Sequence, residues 1–191
     1  MIKTKKLAVA FTIFALVVLG IIAVFLTHPS HPQPIGVKQV DSTLGGTWLS
    51  ENDESFTFSV LANGSIRITY FNGGVQTIPP NYKGEIGGLQ DFGPGIADKG
   101  GFIEYFKQVN STATLTIVAL RVSNAEAHLF IQGLNTIPPP IKLQKYKGYL
   151  YFFDGNSLTA VYDYKYIIYI TWVREYVAQQ QLIKLLNYLA N

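Results

Sequence analysis

Asp91 and Asp98 stand in a glycine-rich stretch, Lys83 to Gly101, that also carries Gly84, Gly87, Gly88, Gly93, Gly95, Gly100 and Pro94. With Asp163 they are the carboxylates whose setting could serve acid–base hydrolysis, which needs two such groups converging on one concave site. A loop of this length in a compact domain is usually functional or unstructured. Its glycines follow neither Walker nor Rossmann spacing, so they do not amount to a phosphate cradle. A second acidic group, Glu51-Asn52-Asp53-Glu54, offers oxygen ligands that suit a hard cation. Without the spaced loop of a calcium site it reads as a solvated turn.

Other chemistries lack their residues. The chain has no cysteine, one methionine at position 1, and three histidines, His28, His31 and His128. A cupredoxin copper site cannot be assembled from these, and no structural zinc site is expected. There is no Gly-x-Ser-x-Gly elbow and no cysteine nucleophile. Ser30-His31-Pro32-Gln33 does not match the Ser-Met-x-Pro context of membrane-anchored signal peptidases. No catalytic residue, metal or cofactor is therefore expected.

Tyrosine is the remaining candidate. Tyr146, Tyr149, Tyr151, Tyr162, Tyr164, Tyr166, Tyr169 and Tyr176 are eight of the twelve. An exposed set drawn from Tyr149, Tyr151, Tyr164 and Tyr166, together with Asp91 and Asp98, could bind an apolar ligand or a surface glycan. The competing reading is cross-strand pairing inside a sheet. Asn63-Gly64-Ser65 and Asn110-Ser111-Thr112 match the glycosylation sequon, which makes Asn63 and Asn110 candidate acceptors if the domain is external.

The elements that would position these residues begin with an anchor. Leu7 to Leu26 is twenty residues without a charge, preceded by Lys3, Lys5 and Lys6. At about 1.5 Å per residue such a helix reaches roughly 30 Å, the hydrocarbon thickness of a bilayer. It is longer than the apolar core of a cleaved signal peptide. The flanking lysines place the N-terminus in the cytoplasm and the rest outside. Of 15 basic and 12 acidic residues, three of the basic ones are those lysines, so the remainder balances at 12 and 12. A neutral domain lacks the concentrated basic face that nucleic acid requires. Charged residues are only 14% of the chain, a surface that would change little in an acidic medium.

Residues 27–44, with Pro29, Pro32 and Pro34, read as a polyproline-like stalk. Strand signatures follow at Ser55–Leu61, Ile66–Phe71, Val75–Ile78, Gly101–Val109, Thr112–Val122, Ala125–Gln132, Gly148–Phe153, Leu158–Tyr162 and Lys165–Val173, with Asn63-Gly64 as a hairpin turn. Residues 45–172 are thus expected to form one mainly β domain, an antiparallel sandwich or barrel of eight or nine strands. Residues 173–191 switch to a period of three and four and predict an amphipathic helix, packed on the domain's own sheet in the first reading and on a partner subunit or the membrane surface in the alternatives. Thr77-Ile78-Pro79-Pro80 recurs as Thr136-Ile137-Pro138-Pro139, which would fit a duplication into two similar halves. Gly46-Thr47-Trp48 and Asp163-Tyr164 resemble fragments of the lipocalin signature. The resemblance covers five residues and implies a barrel around an apolar pocket.

The functional expectation is a single-pass, non-catalytic accessory or interaction subunit of a membrane or cell-surface assembly, with the lipid bilayer and other protein subunits as its partners. The alternatives are an external binding module and a carboxylate-dependent hydrolase.

Overall fold

The computed structural model describes residues 31–80, 99–136, 141–173 and 177–189. The expected span Leu7–Leu26 and the segment holding Asp91 and Asp98 lie outside the described residues. Among the described residues no helix is long and apolar enough to cross a membrane.

The described residues are mainly β: ten antiparallel strands and three helices. In chain order these are α1 (Val37–Leu44), β1 (Trp48–Ser50), β2 (Phe56–Val60), β3 (Ile66–Tyr70), β4 (Val75–Ile78), β5 (Gly101–Gln108) and β6 (Thr114–Arg121). Then come α2 (Asn124–Thr136), β7 (Gln144–Tyr146), β8 (Tyr149–Asp154), β9 (Ser157–Tyr162), β10 (Tyr166–Val173) and α3 (Gln179–Leu189). The strands run β4-β3-β2-β5-β6-β10-β9-β8-β7 across a single hydrogen-bonded sheet, with β1 added against β5. One edge of β5 is shared: Phe56–Phe58 pairs with its first residues and Trp48–Ser50 with its last. Where neither strand reaches, the buried Ser55 hydroxyl accepts the Tyr105 N–H at 2.9 Å, so the gap in the ladder costs no unpaired donor.

Strand alternation sorts the core into two clusters. Phe102, Phe106, Leu115, Ile117, Ile168, Ile170 and Trp172 face one side, where α1 contributes Val40 and α3 contributes Leu182, Leu185, Leu186 and Leu189. Ile103, Val118, Leu120 and Ile167 face the other, where Phe56, Phe58, Ile68 and Ile78 join Ala127 of α2. α3 therefore packs on the domain's own sheet, as its apolar stripe suggested. It begins later than expected because β10 remains paired with β6 as far as Val173.

Several expectations are corrected. Among the described residues the sheet is not closed into the barrel that the lipocalin-like fragments implied. Ala125–Gln132 is not a strand but part of α2. The Ser123 hydroxyl accepts the Glu126 N–H at 3.2 Å, while the Glu126 carboxylate accepts the Ser123 N–H at 2.6 Å. This reciprocal capping box starts a helix. Ala127, Phe130, Ile131 and Leu134 then fall on one helical face. The two Thr-Ile-Pro-Pro segments follow different elements, since Thr77-Ile78 ends β4 whereas Thr136 ends α2. The repeated segment thus closes a strand in one place and a helix in the other. From His31 onward the expected stalk is also not a free spacer. Pro32 is buried, Ile35 belongs to the core, and residues 37–44 are helical.

Candidate functional site

Residues 31–36 form a strap across the α1/α3 face of the sheet. Pro32 and Pro34 have no N–H to satisfy. The two N–H groups between and after them are both bonded: Gln33 donates to the Leu189 carbonyl at 3.0 Å and Ile35 to Glu104 Oε2 at 2.9 Å. The alternation of proline with a bonded residue lets an irregular segment lie on an apolar sheet without a buried orphan donor.

Under the strap's first residues is a cleft of about 300 Å³. Strand register supplies its floor. Thr57 pairs with Phe102 and Phe102 with Ala119, while Tyr166 pairs with Arg121. These side chains share one face of the sheet because strand residues two apart point the same way. Ser59 of β2, Lys99 and Gly100 complete the lining, with His31, Pro32, Gln33 and Pro34 above. At Gly101 a Cβ would overlap the Ala119 carbonyl oxygen, and at Gly100, with φ +114°, it would meet the Phe58 carbonyl. Glycine is required at both positions because three strands converge there.

The cleft is electrostatically one-sided. His31, Lys99 and Arg121 come from three separate parts of the chain, and among the described residues no carboxylate joins the lining. Among the described residues the one ion pair is Lys165 with Asp163, 2.7 Å apart on the surface. The Gln33 side-chain nitrogen lies 2.9 Å from His31 Nε2. Burial pushes the Tyr166 phenol up, opposed by the nearby positive charges of Arg121 and Lys165.

Glu104 is the next residue inward from Phe102 on the same face, and it is 1% exposed. Burial raises its pKa from 4.5 to about 8, and the Ile35 N–H donated to it offsets part of that rise. At neutral pH it is mostly protonated and puts little negative charge beside the cleft.

The structure scatters the tyrosines expected as one binding set. Tyr149 and Tyr151 are buried, their hydroxyls donating to the Leu186 carbonyl and to Gln144 Oε1, each at 2.9 Å. Tyr164 sits in the β9–β10 turn with φ +51° and stacks on His128 at 4.6 Å between ring centroids. Of the four, only Tyr166 lines the cleft. His128, expected on a strand, is on the exposed face of α2. Asp163 is exposed and paired with Lys165, and Asp91 and Asp98 lie outside the described residues. Glu51–Glu54 forms the turn between β1 and β2, where Asp53 accepts a 2.8 Å bond from Asn72. Among the described residues no three His, Cys, Asp or Glu side chains gather as metal ligands. Asn63 and Asn110 are both exposed, in turns, Asn63 accepting the Ser65 N–H and Asn110 holding φ +58°.

A broader trough of about 780 Å³ flanks the β5–β6 hairpin between Leu49, Glu51 and residues 107–112. It opposes Glu51 with Lys107 and has no charge bias. Sequence reasoning missed Glu104, Lys99 and Arg121. Glu104 was traceable, since it is the one charge on the Phe102–Glu104–Phe106 face of an apolar strand. Lys99 and Arg121 carry no local signal, because only the β5–β6 pairing makes them neighbours. No protein-family model, curated protein or solved structure matches this chain.

Proposed function

We propose that this chain is a single-pass, membrane-anchored protein whose extracytoplasmic β domain acts as a non-catalytic interaction subunit and meets its partner by strand addition at β4. The anchor is Leu7–Leu26, with its lysines on the cytoplasmic side. The observation that carries the reading is the sheet edge. β4 ends the sheet, and among the described residues nothing pairs with its outer side. Its sequence, Val75-Gln76-Thr77-Ile78, has no charge, and Val75 is 56% exposed. Proteins ordinarily blunt such an edge with lysine, proline or a bulge, because a row of free N–H and C=O groups recruits another strand. An uncharged edge outside the cell is suited to a partner that completes the sheet. The opposite edge, β7, is three residues long and carries Lys145, which makes it a poorer template.

The test is purification from native membranes in mild detergent. The expected result is a second polypeptide at fixed stoichiometry, lost when Val75→Lys and Thr77→Lys are introduced together on this exposed edge. Recovery of the unmodified protein solely as a free monomer would overturn the reading.

A further inference from the structure

We propose that the cleft beneath the strap is a binding site for a small phosphate-bearing anion, held by Arg121, Lys99 and His31 with hydroxyl support from Thr57, Ser59 and Tyr166. Three observations carry it. The cationic side chains of Lys99 and Arg121 and the imidazole of His31 converge from separate segments onto one concavity, although charges outside the N-terminal lysines balance across the chain. Among the described residues no carboxylate lines the cleft, and neither Lys99 nor Arg121 is ion-paired. Two hydroxyls and a phenol lie on the same floor, fixed there by strand pairing.

This chemistry fits a phosphoryl group. A guanidinium offers a planar fork of donors that matches its oxygens, a lysine adds a compact charge, and hydroxyls can donate to the remaining lone pairs. The volume is at the small end for ligand pockets, which suits a phosphate ester of a small alcohol better than a nucleotide. A ligand seated there would also touch Gln33 and Pro34, so its binding would tighten the strap on the sheet.

Two sources share this chemistry: a soluble phosphate ester and a phospholipid headgroup. His31 is five residues past Leu26, a reach of about 18 Å at full extension, so an anchored chain holds the cleft near the headgroup layer. The experiment is calorimetric titration of glycerol 3-phosphate into the full-length protein, once in nanodiscs of phosphatidylcholine and once in nanodiscs containing phosphatidylglycerol. Saturable binding in both disc types supports the site with a soluble source. Binding in phosphatidylcholine that is suppressed by phosphatidylglycerol supports the site with a headgroup source. In either case Arg121→Gln and Lys99→Gln, both at exposed positions, should each weaken binding roughly tenfold or more, and Lys145→Gln, exposed on β7 at the far edge of the sheet, should leave it unchanged. Absence of saturable binding in phosphatidylcholine discs, or binding that neither cleft variant alters, would overturn the proposal. A chain that proves soluble without lipid can be titrated in buffer, so failure of the anchor reading is separable from failure of the site.

Discussion

Strands β6 and β10 are buried on both faces, whereas β2 and β3 are buried on one and β4 only at Ile78. In β6, Leu115, Ile117 and Ala119 meet the α1/α3 side while Val118 and Leu120 meet the α2 side. In the β2–β4 wing, Phe56, Phe58, Ile68 and Ile78 are buried, and Thr57, Ser59, Arg67, Thr69 and Thr77 between them are exposed. The difference is written in local composition. A strand covered on both sides reads as a continuous apolar run, and one covered on a single side alternates. Position within the fold also assigns the proposed tasks. The wing ends in the open edge, and the cleft lies where the bare face of the wing meets the strap.

Glu104 is the place to break this comparison with the largest effect, since it puts an acid inside the covered region. Its folded pKa is raised above its unfolded value, so the folded state holds the proton more tightly. Its contribution is fully present below about pH 4.5 and is lost as pH rises through about 8. A shift of that size corresponds to roughly 5 kcal/mol at most. Denaturant unfolding should therefore show a fold that weakens between these pH values, and Glu104→Gln should flatten the profile. A wild-type profile already flat over this window would mean that the carboxyl is hydrated in solution.

Paired truncations sharpen the contrast at the next scale. Ile117→Ala and Leu120→Ala lie on opposite faces of the same strand, both fully buried, and each should cost about 2–5 kcal/mol. In the wing, Ile68→Ala should cost a similar amount, while its neighbour Thr69→Ala should stay within about 0.5 kcal/mol. A large loss at Thr69 in a urea melt would reveal a cover on the wing's bare face. A smaller effect is expected at the start of α2. Ser123→Ala removes one half of the capping box and should lower stability by about 1 kcal/mol, read in the same melts.

Much of the sheet was legible from the sequence. The Asn63-Gly64 turn joins β2 to β3, and the expected strands other than Ala125–Gln132 appear near their expected bounds. β1 and β7 escaped notice because each is three residues long, too short for a period to register. Ala125–Gln132 was misread because its apolar content suggested a strand, yet Ser123 and Glu126 already carried the capping signature. The site was much less legible. The tyrosines looked like a cluster because they are close in sequence, but alternation and turns send them to different places.

The sequence by itself determined most of the segments that become strands, which face of each is apolar, and where the positive excess lies. These follow from side-chain period and turn chemistry, which act over a few residues. Only the tertiary structure decided that residues 31–36 lie on the sheet, that Ile35 donates to a buried Glu104 69 residues further along the chain, and that positions 31, 99 and 121 share a cleft. Periodicity reports the faces of an element and not its neighbours; strand order and the close approach permitted by Gly100 and Gly101 supply those.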